Sequence, residues 1–282
     1  MITGGAGAGF VRWGAVEISP VLEAVRKRLD LSPIAAAALG RCLSGAALLL
    51  RLSNKTPTRL MVRVAGDGPL GEVLAEADAE GNLRGQVENP RLELPPTKEG
   101  KLDVGAAVGE GSLIVERLSR EGHQKSVVNL VTGEIGDDLA HFLAQSEQTR
   151  SAVMVGVLAK PFGVAAAGGF IGELLPGAPN ELIDRFAQNV SCLRGVSRLI
   201  EKEGIDAVIT NALDGIDHFS IEPRPLRFHC RCSRERLAER LGALPEGELD
   251  HLAGGQPVIE AICRFCGTVY QLSRQELALS IQ

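Results

Sequence analysis

His229-Cys-Arg-Cys-Ser-Arg-Glu-Arg236 and Cys263-Arg-Phe-Cys-Gly267 are the stretches that decide how this chain is built. Cys230 and Cys232 form a C-x-C, Cys263 and Cys266 a C-x-x-C, and thirty residues, 233–262, lie between the pairs. Two close-set pairs brought together by a folding loop supply four thiolates, the donor set of a closed tetrahedral zinc site. One zinc ion held by Cys230, Cys232, Cys263 and Cys266 is the expectation. The single spacer of the first pair crowds two thiolates, which oxidise readily to a local disulfide once metal protection fails. The site reads as a zinc centre with a redox switch built in. Gly267 suits a tight knuckle in which backbone N–H groups approach the sulfurs. Ser233 can cap a helix, Gly254-Gly255 can end one, and Ser273-Arg-Gln-Glu276 reads as a capping box. So small a module has little core and needs a staple, which a tetrathiolate metal provides.

The chain has 282 residues, enough for one large domain and a small one. Hydrophobic content of 45% and charged content of 23% are those of a globular protein. A net charge of −5 gives no global pull toward nucleic acid or an anionic membrane. Met1 to Gly9 has neither a basic n-region nor an apolar h-region, so the expected location is the cytoplasm. There, clustered cysteines mean metal or redox chemistry. Ile34 to Leu52 is the most apolar stretch, but Arg41 and Arg51 interrupt it. It reads as a buried, alanine-rich core helix and not as a membrane span.

Ser19-Pro20 and Ser32-Pro33 each place a cap before a proline suited to a first helical turn. Helices are expected over about Val21–Leu29 and over the apolar stretch. Strands are expected at Arg59–Val64, Glu72–Asp78, Leu83–Val87, Ser112–Leu118, Lys125–Val131, Ala152–Leu158 and Val164–Ile171. A helix with acids at its positive end starts near Asp137-Asp138. Hairpins beside a few helices define an α+β domain with a largely antiparallel sheet. From Asn180 to about Arg227 the chain reads as helical and charged, with an apolar stripe at Leu182, Ile183, Phe186, Val190 and Leu193. The expected organisation is an N-terminal core over 1–178, a metastable helical linker over 179–228 and a redox-switch zinc domain over 229–282.

Other features weigh less. Cys42 and Cys192 sit alone in apolar helical contexts and read as structural thiols. His229 adjoins Cys230, but four thiolates already fill a tetrahedral shell. The glycines of Gly4–Gly9 lack a preceding strand and a following G-K-[ST], so they read as a flexible terminus or turn rather than a phosphate loop. No nucleophile elbow or kinase motif is present, and the chain is not expected to be an enzyme. A zinc-ribbon nucleic-acid-binding protein is the rival reading. Against it, residues 229–282 carry six Arg and no Lys against seven Asp plus Glu, a net of −1. A thiol–disulfide oxidoreductase would need its C-x-x-C beside a thioredoxin-like βαβ unit, which is missing.

With the cysteine pattern in hand, the chain resembles the redox-regulated heat-shock chaperonins, the zinc-binding holdase family of about thirty-three kilodaltons. Gly68-Pro-Leu-Gly71, Ala75-Glu-Ala-Asp78, Asn89-Pro90, Gly133-Glu-Ile135, Asp137-Asp-Leu-Ala140 and Ser146-Glu-Gln148 also resemble its landmarks, so the likeness spans essentially the whole chain. The glycine-rich start and Lys125-Ser126 depart from it. The resemblance implies an ATP-independent chaperone, inactive while reduced and zinc-bound, that prevents aggregation of unfolding client proteins. It further implies that oxidation forms Cys230–Cys232 and Cys263–Cys266 disulfides, releases zinc, unfolds the C-terminal module and linker, and converts a monomer to a dimer. Neither nucleic acid nor membrane is an expected partner.

Overall fold

The computed structural model describes residues 1–53, 57–193, 195–273 and 276–277. It forms two compact units, Met1–Phe228 and His229–Gln282. The first begins with strand β1 (Ile2–Ala6), a 3-10 turn at Gly7–Gly9 and strand β2 (Val11–Glu17). Helices α1 (Ser19–Leu29) and α2 (Pro33–Leu52) follow, then strands β3 (Arg59–Gly66), β4 (Val73–Asp78) and β5 (Asn82–Val87). Next come a short helix α3 (Val104–Val108), the hairpin of β6 (Gly111–Ser119) and β7 (Gly122–Asn129), and α4 (Gly136–Ser146). The long hairpin of β8 (Arg150–Lys160) and β9 (Gly163–Leu174) leads to helices α5 (Asn180–Cys192), α6 (Val196–Glu203) and α7 (Ile205–Ala212). Two short strands, β10 (His218–Ile221) and β11 (Arg227–Phe228), close the unit.

The strands form two sheets, ordered β10-β1-β2-β9-β8 and β11-β5-β4-β3-β6-β7. All pairings are antiparallel except that of β11 with β5. The fold is α+β, as the alternation of hairpins and helices implies. Helix α2 packs on strands of both sheets. By length and composition it could cross a membrane, but 89% of its apolar window is buried inside the protein. Its run of Ala35 to Ala38 keeps side chains small where two sheets approach it, so burial comes from close packing on every side. Ser32 caps it as expected, its Oγ accepting from the Ala35 N–H at 3.3 Å. Ser19 does not cap α1. Ile18 stands at that cap, and Ser19 Oγ instead accepts from the Ala167 N–H at 3.0 Å.

The first sheet is covered on both faces. Val16 and Ile171 point into the core around α2, whereas Trp13 and Phe170 join a second cluster with Phe186, Val196, Ile200, Val208 and Ile209 from α5, α6 and α7. The segment read as helical through about Arg227 therefore needs correction. Its helices stop at Ala212, and the remainder supplies β10, an edge strand too short and too close to prolines for a period of two to register.

A larger correction concerns the N-terminal glycines. Ile2–Ala6 is no flexible terminus but a strand between β2 and β10, with Gly4 opposite Ser220 and Gly5 opposite Phe219. Glycine is there because nothing else fits. A Cβ at Gly4 would lie 1.9 Å from the Phe219 carbonyl oxygen and 2.6 Å from the Trp13 ring. We expect Gly4→Val to destabilise this unit by about 2–3 kcal/mol through overpacking against backbone. Urea unfolding with hydrogen exchange at residues 218–221 reads it out; unchanged protection there would contradict the packing described.

Candidate metal centre

The second unit is built around helices α8 (Arg234–Gly242) and α9 (Glu246–Ala253) and a hairpin of β12 (Val258–Ile262) with β13 (Val269–Ser273). Its apolar core is small: Ala238, Ala253, Ile259, Leu272 and Leu277 are the buried members among the described residues. Local rules set its joints. The Arg236 N–H donates to Ser233 Oγ at 3.2 Å, which starts α8 directly after Cys232. Gly254 ends α9. Ser273 and Glu276 form the expected box, with the Ser273 N–H donating to Glu276 Oε2 at 2.8 Å and the Glu276 N–H to Ser273 Oγ at 3.3 Å. Arg234 adds a 2.7 Å contact to Glu276, tying α8 to the end of the hairpin.

Cys263 and Cys266 lie in the turn between β12 and β13. The Gly267 N–H donates to the Cys263 carbonyl at 2.8 Å and the Cys263 N–H to that of Thr268 at 2.9 Å, closing a tight knuckle. Gly267 turns it at φ 70°, a backbone conformation that penalises a Cβ. The chain from Cys230 to Cys232 faces this knuckle. Cys230 Sγ lies 3.7 Å from Cys263 Sγ, Cys232 Sγ lies 3.3 Å from Cys266 Sγ, and all four sulfurs fall within 4.8 Å of one another. A tetrahedron with about 2.3 Å metal–sulfur bonds has sulfurs about 3.8 Å apart. The four cysteines are free thiols gathered at the spacing of a metal shell, and the cluster could hold one ion.

Two side chains that the sequence reading missed support the sulfurs. The Tyr270 hydroxyl donates to Cys232 Sγ at 3.1 Å, and Thr268 Oγ1 lies 3.1 Å from Cys266 Sγ. Thr268 belongs to the knuckle, whereas Tyr270 lies in β13 opposite Ala261, where the hairpin register aims it at the cluster. Without metal the thiols resist sharing negative charge. Burial, followed by the crowding of neighbouring thiols, pushes Cys230 up to about 12, and burial raises Cys263 as well. Burial opposes ionisation at Cys266 too, but hydrogen bonds from Thr268 and the adjacent cysteines bring it down to about 7. A cation is what allows all four to be thiolates together.

The remaining cysteines and histidine separate clearly. Cys42 is fully buried in α2, where burial and then the Asp138 carboxylate raise its thiol, in keeping with a structural role. Cys192, the last residue of α5, is exposed, which corrects its reading as a buried structural thiol. His229 is exposed and lies outside the cysteine cluster.

An α+β unit followed by a small four-cysteine module defines a two-part protein with a metal-type centre at its C-terminal end. The family model described as Hsp33 protein matches residues 1–273. The 33 kDa chaperonin of Symbiobacterium thermophilum is 44% identical, with 97% of this chain and 93% of that one aligned. A 33 kDa chaperonin of Thermus thermophilus is 41% identical over 98% of this chain and 85% of its own. The crystal structure of the 33 kDa chaperonin of Thermotoga maritima superimposes with a TM-score of 0.88 at 32% identity, covering 99% of this chain and 96% of that one. The chain belongs to the Hsp33 family. Chaperone function, and with it the binding of client proteins, comes with that membership.

Proposed function

We propose that the protein is a redox-regulated, ATP-independent holdase of the cytoplasm. The observation that carries this reading is the gathering of Cys230, Cys232, Cys263 and Cys266 into one metal-sized cluster within a module whose own core is small. The four sulfurs bind one zinc ion in the reduced protein, and soft thiolates in a tetrahedral set favour that metal. Bound zinc keeps the thiolates together and screens their charges. Oxidation removes two thiolates at a time from the shell, so the ion is lost and the module loses its staple. The segment over 179–228 then undocks, and apolar surface becomes available to unfolding clients and to a second copy of the chain. Reduced protein is monomeric and inactive in this scheme, and oxidised protein is a dimer that prevents aggregation. The net charge of −1 over residues 229–282 argues against the nucleic-acid-binding alternative.

The test is suppression of aggregation of a chemically unfolded client, without nucleotide, by reduced protein and by protein treated with peroxide and mild heat. Suppression only after treatment is expected; equal suppression by both forms contradicts redox control. Disulfide mapping adds a prediction. Within the folded cluster the close sulfur pairs are Cys230 with Cys263 and Cys232 with Cys266. Near neighbours in sequence keep their high effective concentration after the module unfolds, whereas cross-pairs must close a long loop. Cys230–Cys232 and Cys263–Cys266 bridges are therefore expected, with Cys42 left as a thiol. Dominant Cys232–Cys266 linkage on non-reducing peptide maps would mean that oxidation precedes unfolding.

A further inference from the structure

A cavity of about 610 Å³ opens in the first unit between the C-terminal end of α2, the turn joining β6 to β7, and the chain after β10. Arg51, Arg120 and Arg224 line it, and Glu121 is the only carboxylate among the described lining residues. Among the described residues none of these three guanidinium groups makes a hydrogen bond or ion pair, and Arg51 Nε is buried without a partner. A buried Nε without a partner occurs also at Arg41 and Arg117, but those guanidinium groups each carry a carboxylate partner. Arg41 is paired with Glu134, Arg84 with Glu76 and Arg117 with Glu147. At Arg51 burial, and then the nearby charge of Arg224, disfavours the cation instead.

A half-buried cation left unpaired beside two more of its own sign marks a place where an anion is missing. We propose that this cavity binds a compact phosphate-class anion with at least two negative charges, gripped by Arg51, Arg120 and Arg224. Planar guanidinium forks match phosphate oxygens two at a time, and three of them exceed what one carboxylate can satisfy. The volume lies in the roughly 300–1,000 Å³ range of small-ligand sites. The site also joins two parts of the chain. Arg51 belongs to the central helix, whereas Arg224 lies in the segment 179–228, where its main chain pairs with Met1 through N–O distances of 2.9 Å. An anion spanning Arg51 and Arg224 holds that segment down and slows activation. This consequence rests on the proposed release of the segment; the binding itself does not.

Titration calorimetry of reduced, zinc-loaded full-length protein with pyrophosphate tests the site. Saturable one-to-one binding that weakens as salt rises is expected. Arg120→Ala and Arg224→Ala, both at exposed positions, should each raise Kd at least about tenfold. Arg51→Ala perturbs a half-buried helix end, so the two exposed positions decide the outcome. Arg91→Ala, which removes an exposed arginine paired with Asp30 at 2.8 Å, should leave Kd unchanged. ATP is the second ligand: affinity equal to that of pyrophosphate assigns the site to free phosphoanions, and tighter ATP binding assigns it to nucleotides. No saturable binding up to about 5 mM of either ligand overturns the proposal, as does an equal loss in Arg91→Ala, which would reduce the effect to general charge attraction.

Discussion

Cys263→Ser/Cys266→Ser protein should purify without stoichiometric zinc, with residues 229–282 unfolded and the core over residues 1–178 intact. The expected effect is large because the module has so little else to hold it. Its buried apolar side chains are few, while Leu252, Ile262 and Val269 are half or more exposed. A structural zinc contributes about 10 kcal/mol or more to domains of this kind, which exceeds what so small a core supplies. Removing two of four donors also leaves Cys230 and Cys232 on a segment with no knuckle to face. Tyr270→Phe offers a graded comparison. It removes the hydroxyl that donates to Cys232 Sγ, and loss of such an outer-shell partner weakens metal affinity about 10–100-fold without abolishing the site. Metal analysis and chelator competition on the two variants read both effects. Tightly held, stoichiometric zinc in the double variant would show that the cysteine cluster is not the metal site.

The second large effect concerns residues 180–227. When zinc leaves, hydrogen-exchange protection across this segment should fall at least about tenfold, a loss of about 1.4 kcal/mol or more in local stability. Phe186 is the one fully buried side chain of α5, while Leu182, Val190 and Leu193 are only partly covered. Short helices are marginal in water, so these owe their order to docking: α6 on β8 and β9, α7 on β2 and β9, and α5 on α7. Phe186 sits directly over Gly172, where a Cβ would come within 2.4 Å of its ring. Undocking therefore uncovers a flat apolar floor that includes Trp13 and Phe170. The last tether before the cysteine module is slight: β11 is two residues long, and Arg227 Nε donates to Asn82 Oδ1 at 2.7 Å. Disorder beginning at His229 meets that short strand and then the Arg224–Met1 main-chain pair before it reaches β10 and the helices. Unchanged protection over 180–227 in zinc-free protein that suppresses aggregation would place the client surface elsewhere.

The parts of this molecule legible in its sequence are those whose cause is local. Paired cysteines at fixed spacing declare four sulfurs whatever surrounds them. Ser32, Ser233 and Ser273 cap because each needs only its own next turn. Strand β3 alternates because it presents one face to a core, whereas β9, covered on both faces, declares itself as a continuous apolar run between turns. The N-terminal glycines resisted reading because their reason lies more than two hundred residues away in β10. A strand selected for the absence of side chains shows no period. β10 in turn takes its conformation from β1 and not from its own four residues. Tyr270 became visible only when the β12–β13 register aimed it at sulfur, and Thr268 only when the knuckle closed. Cys192 shows the converse failure, since apolar neighbours in sequence do not say which side of a helix faces inward.

The most direct measurement follows zinc release and client protection together in one sample during peroxide treatment, with a chromophoric chelator reporting the metal and light scattering reporting a client diluted from denaturant. Reduced, zinc-loaded protein should fail to suppress aggregation, and suppression should rise in proportion to zinc released, reversing when reductant and zinc are restored. Full suppression by the zinc-loaded protein, or complete zinc release with no gain in suppression, would contradict the coupling of this metal centre to chaperone activity.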